Sequence, residues 1–380
     1  MGVAMPRLGF GWPKAPAGRA VHLAGNHWYY CSMKNEIRVG IVGAGANTRE
    51  RHIPGLRAIP GVKIVGVSNR TPSSSGRAAE ALAIPKPYAT WKELVGADEI
   101  DAIVIGTWPY LHAPVTLAAI EAGKHVLCEA RMAMSSREAR EMLSASRLRP
   151  DLVCQIVPSP MTLEVDATVE RLIREGTFGR LISVEVNIRS GQFPAAESPL
   201  AWRQNEEYSG HNAMALGIWY EAVARWVGHA VSVQAVGQTV VPLRPDPERG
   251  GSPKVTRIPD QLYIICDMAF GGTACFAIST VLGGEASEQV VLYGSDATLT
   301  LRSGHLELRR RGASGPEEIP VQHDSQGGWR VEEDFIRSIR EGAPVLLTSF
   351  EEGVRYMELT DAVWMSMAEG RRIGLPLIMP

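Results

Sequence analysis

The chain is 380 residues long, more than one hydrophobic core usually holds, and its 45% hydrophobic and 21% charged residues are those of an ordinary soluble globular protein. A formal net charge of −2 argues against a nucleic-acid partner or a polybasic membrane contact. No run approaches the roughly eighteen apolar residues that a membrane span needs.

Residues 1–34 read as an irregular extension, broken by Pro6, Pro13, Pro16 and several glycines, with no basic and then apolar leader pattern. The extension is either a mis-assigned start or tail, Met33 being an alternative initiator, or an arm anchored by Trp28, Tyr29 and Tyr30. Regular structure begins with a strand over 37–43. A helix over 49–58 follows, weakened by Pro54 and Gly55 and stopped by Pro60-Gly61. The alternation continues with a strand over 62–67, a helix over 77–83, a strand over 100–105, a helix over 112–122, a strand over 126–128 and a helix over 136–147. Short apolar strands alternating with helices imply a parallel sheet covered on both faces, here over 35–155.

The first strand runs into Gly43-Ala44-Gly45-Ala46-Asn47-Thr48, a G-x-G-x-x-T turn that opens a helix. Glycines there let the backbone approach a pyrophosphate at the positive end of the helix, although Thr48 replaces the third glycine. The strand–turn–helix context makes this a dinucleotide site. The second strand ends in Ser68-Asn69-Arg70, with Asn69 where an NAD-preferring site carries an acid. That favours NADP over NAD, unless Arg70 only stacks on the adenine.

From 156 to 345 the pattern changes. Period-two alternation over 181–188 and in parts of 231–240 and 299–308 marks an antiparallel sheet with one buried face. The segment 242–260, rich in Pro, Gly and Arg, reads as a mobile loop, and 351–369 as a helix that packs back on the nucleotide domain within a final unit over 346–380. Cys128, Cys154, Cys266 and Cys275 sit in apolar runs and read as buried thiols; with Cys31 they form no C-x-x-C pair, which suits a reducing cytoplasm. There is no metal-ligand cluster, no internal repeat and no Ser-His-Asp pattern.

Thr107-Trp108-Pro109-Tyr110-Leu111-His112, then Ala122-Gly123-Lys124-His125-Val126 with Glu129, and later Trp202-Arg203, Glu352-Gly353 and DAVWMSMAEGR over 361–371 together resemble the Gfo/Idh/MocA family of NAD(P)-dependent oxidoreductases. The likeness runs from about residue 37 to residue 375. It implies a Rossmann doubly wound parallel sheet followed by a domain with a large, mainly antiparallel open sheet, whose free face joins subunits into a dimer or tetramer. It also implies that Gly43 and Gly45 hold the pyrophosphate, that Thr107, Pro109 and His112 lie near the nicotinamide half, and that Glu129 lines the cofactor site.

The chain departs from the family where chemistry is expected. His52 lies one residue further from Gly45 than the family's histidine. The lysine of the E-K-P pattern is Ala130 and its proline Arg131. In the D-x-G-x-H pattern, centred on Gly217, the aspartate is Ala215 and the histidine Trp219. His211, one turn before Ala215, would face the emptied pocket if the helix already includes it; otherwise it is a cap or a surface residue. Asn212 could hydrogen-bond a sugar hydroxyl, and Arg203 could orient a polar substrate. Arg131 binds a carboxylate or phosphate, or pairs with Glu129. Trp219 stacks on a pyranose or belongs to the core, and Glu221 pairs with Arg225. The leading expectation is an oxidoreductase acting on a secondary hydroxyl or ketone of a sugar, cyclitol or glycoside. Two others stay open: a redox-neutral cleaving or eliminating enzyme that recycles its bound cofactor, and a non-catalytic nucleotide-binding sensor or subunit.

Overall fold

The computed structural model describes residues 36–284, 286–321 and 328–378, so the extension expected over 1–34 lies outside the described residues. The first sheet has six parallel strands in the spatial order Lys86–Pro87, Val62–Ser68, Ile37–Val42, Ala102–Ile105, His125–Cys128, Cys154–Ile156. Its strand order reverses beside Ile37–Val42, which pairs with Val62–Ser68 on one side and Ala102–Ile105 on the other. Such a switch point opens a crevice at the carboxyl ends of the strands.

Three elements differ from expectation, each for a local reason. The helix expected over 77–83 starts earlier, at Pro72, because the Thr71 hydroxyl accepts from the Ser74 N–H and proline suits the first helical turn. The helix expected over 49–58 is divided: a wide π-type turn, Thr48–His52, leads into Ile53–Ala58. Pro54 falls in the first turn of the second piece, where no N–H is needed. The supposed loop over 242–260 contains an antiparallel hairpin, Leu243–Asp246 with Ser252–Val255. Arg244 anchors it: the side chain is fully buried and donates to Phe193 O at 2.7 Å and Ala195 O at 3.0 Å.

The second sheet has nine strands, all antiparallel neighbours except Leu181–Arg189 and Thr273–Ser279, which run parallel. Its inner face packs on the Leu216–Val227 helix, where the Tyr220 ring lies 6.1 Å from that of Phe276. The outer face presents Val236 opposite Tyr263, and Ile265 opposite Cys275, with the first three more than half exposed. Cys275 is therefore a part-exposed thiol, unlike the buried Cys128, Cys154 and Cys266. The Phe350–Glu369 helix lies against Ser136–Leu148, where Asp361 accepts from the Ser136 N–H at 2.7 Å and Glu358 from Arg140 at 3.0 Å. No described helix is long and apolar enough to cross a membrane.

Thr48 is buried against the strand end at Gly106, and its hydroxyl donates to Gly43 O at 3.1 Å. A Cβ on Gly106 would overlap both the Thr48 hydroxyl and Gly43 O. The close helix–strand approach that a third glycine normally permits is thus provided from the neighbouring strand. Gly106→Ala should cost about 2 kcal/mol of stability through overpacking and weaken dinucleotide binding. Urea unfolding and a NAD+ titration that both match the parent chain would refute this.

Candidate active site

A cavity of about 680 Å³ opens at the switch point, lined by Gly43, Ala44, Gly45, Ser68, Asn69, Arg70, Ser74, Trp91, Lys92, Thr107, Trp108 and Tyr110 among others. Gly43 adopts φ +88°, a left-handed conformation, and a Cβ there would stand 2.7 Å from Thr107 Cγ2. Ser68 Oγ and Thr107 Oγ1 are buried without a hydrogen-bond partner. A cradle that excludes a Cβ, together with two unspent hydroxyls, fits a dinucleotide.

Of the other expected cofactor residues, Ala46 is exposed beside the turn and Thr48 packs inward. Pro109 is buried at the start of the turn Pro109–Leu111. His112 is fully buried, its Nδ1 2.8 Å from Arg131 O and its Nε2 3.0 Å from Thr107 O. Burial pushes its pKa down, so the ring is neutral and donates to one carbonyl at a time. With both nitrogens occupied, His112 positions the segments around it.

Asn69 is also structural. Its Oδ1 accepts from the Ala44 N–H at 2.8 Å, and its amide donates to Ser74 O at 3.2 Å. Arg70 is held by Glu248 at 2.6 Å and donates to the Tyr208 hydroxyl at 2.7 Å. It is thus not the unpaired cation that favoured NADP. Glu248 lies in the turn of the 243–255 hairpin, distant in sequence from Arg70, so this pairing is not legible in the sequence. Nor is the aromatic wall: Trp108 stacks on Trp202 with centroids 5.6 Å apart, and Tyr208 lies 4.9 Å from Trp108 and 5.2 Å from Tyr110. The one available signal was Trp108 itself, which separates the Thr and Pro of the family's turn.

Asn47 turns away from the expected pyrophosphate site, and its amide donates to Glu129. Glu129 Oε1 also meets His52 Nε2 at 3.0 Å, while Oε2 accepts from the Ala130 N–H at 3.1 Å. The other ring nitrogen of His52 meets Glu332 at 2.5 Å. Burial disfavours the imidazolium, but hydrogen bonds to Glu129 and Glu332 outweigh it and raise the pKa to about 9. The π-type turn absorbs the extra residue between Gly45 and His52, letting His52 reach both carboxylates.

Ala130 leaves no side chain to move a proton, and Arg131 does not bond to Glu129. The Arg131 side chain is buried, and its Nε and Nη2 have no partner. Its pKa is pushed down to about 10, chiefly by burial and secondly by Arg203. A lone guanidinium in that setting costs roughly several kcal/mol unless a counter-charge arrives. Arg203 lies over the Trp202 ring at 4.3 Å, exposed yet partly stripped of hydration, which lowers its pKa against the pull of Glu129.

The helix carrying Gly217 begins at Leu216, so His211 precedes it on a turn and the argument from a shared helix face fails. His211 instead meets Asp361 through Nδ1 at 2.8 Å and lines a second cavity with Met134, Ser135, Glu138 and Lys254. Asp361 raises its pKa, against partial burial. Asn212 donates to Ala133 O at 2.8 Å and Ser209 O at 2.7 Å, with Oδ1 buried and unpartnered. Trp219 is a core residue, and Glu221 meets Arg225 at 2.5 Å.

Because the folded-state pKa of His52 lies above its unfolded value, its pairs stabilise the fold fully below about pH 6.5, and this contribution fades as pH rises through about 9. Urea unfolding of the parent chain should therefore show stability falling over that window, and His52→Gln should flatten the fall. An identical slope in the variant would exclude the coupling.

Comparison with known proteins shows the family and the fold. Residues 37–155 match the model of the oxidoreductase family with an NAD-binding Rossmann fold, and 167–300 match the Gfo/Idh/MocA C-terminal domain. Levoglucosan dehydrogenase of Pseudarthrobacter phenanthrenivorans is 23% identical over 91% of this chain and all of that protein. The dTDP-3,4-didehydro-2,6-dideoxy-alpha-D-glucose 3-reductase of Streptomyces antibioticus is 26% identical over 88% of this chain and 98% of that one. A solved levoglucosan dehydrogenase in complex with NADH shares the fold with a TM-score of 0.80, at 20% identity over 90% of this chain and all of that one. The chain belongs to the Gfo/Idh/MocA family of NAD(P)-dependent oxidoreductases.

Proposed function

We propose that this enzyme transfers a hydride between nicotinamide and a secondary hydroxyl or ketone of a sugar, cyclitol or glycoside. The observation that carries the reading is the crevice itself: a glycine cradle with unspent Ser68 and Thr107 hydroxyls, at the carboxyl edge of the sheet where Glu129 follows the His125–Cys128 strand. The bound nicotinamide supplies the hydride acceptor; the chain must supply binding, orientation and a proton carrier. His211 is the residue proposed for the proton. Asp361 fixes Nδ1, which leaves Nε2 for a substrate hydroxyl, and Asn212 ties this turn to the segment that follows Arg131. The levoglucosan and dideoxysugar enzymes named above support a sugar-like substrate.

NAD(H) is the proposed cofactor, since Glu248 already neutralises Arg70 and its carboxylate would repel a 2′-phosphate. A second copy of the chain is the proposed partner for the apolar row Val236, Tyr263, Ile265, and the free thiols suit a reducing cytoplasm.

Purified protein incubated with NAD+ or NADP+ and a panel of sugars and glycosides should produce reduced nicotinamide, and His211→Ala should lose at least about a hundredfold in kcat while keeping its NAD+ affinity. Bond cleavage without net reduction would instead identify a redox-neutral enzyme; binding without either would leave a sensor. Glu248→Gln should shift cofactor preference several-fold toward NADP+, and an unmoved ratio would sink the repulsion argument. Light scattering should give an oligomer that Ile265→Glu dissociates; a monomeric parent chain would remove the proposed contact.

A further inference from the structure

Arg131 presents the least explained charge among the described residues. Its methylenes fill space left by Gly217, where a Cβ would come within 3.0 Å of Arg131 Cδ. Its Nε and Nη2 have no hydrogen-bond partner. A buried polar group without a protein partner calls for a ligand, ion or water, and a guanidinium calls most strongly for an anion. The nearest carboxylate along the chain, Glu129, is already committed to Asn47, His52 and the Ala130 N–H.

The surroundings add positive charge. Arg203, carried on the turn Trp202–Gln204, is a cation acting on Arg131, and among the described residues no carboxylate pairs with it directly. His52 adds a third cation, and among the described residues the carboxylates that act on the three are Glu129 and Glu332. The remaining ionisable neighbour, Tyr356, stays neutral because burial raises its pKa, and its oxygen accepts from the Met132 N–H. The cluster therefore carries net positive charge, close to the Glu129 that follows the His125–Cys128 strand.

We propose that the substrate carries an oxyanion, a carboxylate or a phosphate, and that the guanidinium groups of Arg131 and Arg203 bind it. This rests on the oxidoreductase reading and narrows its substrate class to acidic sugars. Guanidinium suits either group because its planar fork can make two parallel hydrogen bonds to one oxyanion. Fixing the acid end of the sugar would orient its reacting carbon without help from a lysine at position 130.

The test is calorimetric titration of the full chain, saturated with NADH, by D-glucuronate, D-galacturonate and D-glucose 6-phosphate, each against its neutral parent sugar. At least one acidic sugar should bind about tenfold tighter than its parent, a difference near 1.4 kcal/mol. A preference for the uronates would identify the carboxylate, and a preference for the phosphate ester the phosphate. Arg203→Gln, at the rim, should collapse the ratio toward one, and Arg131→Met should do the same if it folds. Equal binding of acidic and neutral sugars, or no binding by any of them, would overturn the proposal; oxidation of a neutral sugar would still uphold the oxidoreductase reading. Conversely, selective binding of an acidic sugar with no hydride transfer to NAD+ would keep the oxyanion site and defeat that reading. A loss of NADH affinity in R203Q as large as its loss of acidic-sugar affinity would assign the arginines to the cofactor and overturn the proposal.

Discussion

The site depends on a buried imidazole between two carboxylates. His52 joins the turn after the first strand, Glu129 at the end of the fifth strand, and Glu332 on the Val331–Glu341 helix far along the chain. Removing His52 would leave two facing carboxylates in the interior without their shared cation, which is far more costly than the intact triad. Because His52 must reach both partners, the phase of the Thr48–His52 turn is fixed. The wide turn supplies that phase, and it also places Asn47 against Glu129 rather than over a phosphate. One residue more than the family's usual spacing is accommodated by changing the pitch of a single turn.

The same logic of compensation recurs around the cofactor crevice. Thr48 in place of a third glycine would spoil the contact between helix and strand, but Gly106 removes the side chain that it would strike. Asn69, without the charge of an acid, is spent on organising the glycine turn. The carboxylate beside Arg70 comes from Glu248, well outside the Rossmann sheet. Each change keeps the backbone of the crevice while moving a chemical role onto a different strand, turn or hairpin.

This explains what was legible in the sequence. The parallel sheet, the open sheet and the glycine turn follow from periodicity and local composition, which are properties of contiguous residues. The pairing of Glu221 with Arg225 was legible for the same reason, both lying on one helix face. A face shared by His211 and Ala215 requires a helix that already includes His211. The actual helix starts at Leu216, and the partner of His211 is Asp361, 150 residues away. Glu332, Glu248 and the aromatic wall were invisible on similar grounds: each acts through a contact between distant segments. The hairpin over 243–255 was hidden by its glycines and prolines, which mark turns but do not reveal that Arg244 is buried to anchor them.

The replacement of the lysine by Ala130-Arg131 is best understood as a displacement of charge. A lysine can lose its proton and accept one from a hydroxyl, because an amine titrates within reach of neutrality once it is buried. A guanidinium, even with its pKa drawn down to about 10, remains protonated at neutral pH and is a poor proton acceptor. It is instead a strong and directional anion ligand. On the proposed reading, a cation moved one position along the chain separates two tasks that a lysine can combine: charge stabilisation would stay with the guanidinium, while proton transfer would pass to another group. His211 with Asp361 has the chemistry for the second task, and Arg131 with Arg203 for the first. A substrate bearing its own negative charge reconciles the two, because its charge would satisfy the buried guanidinium that the folded chain leaves unpaired.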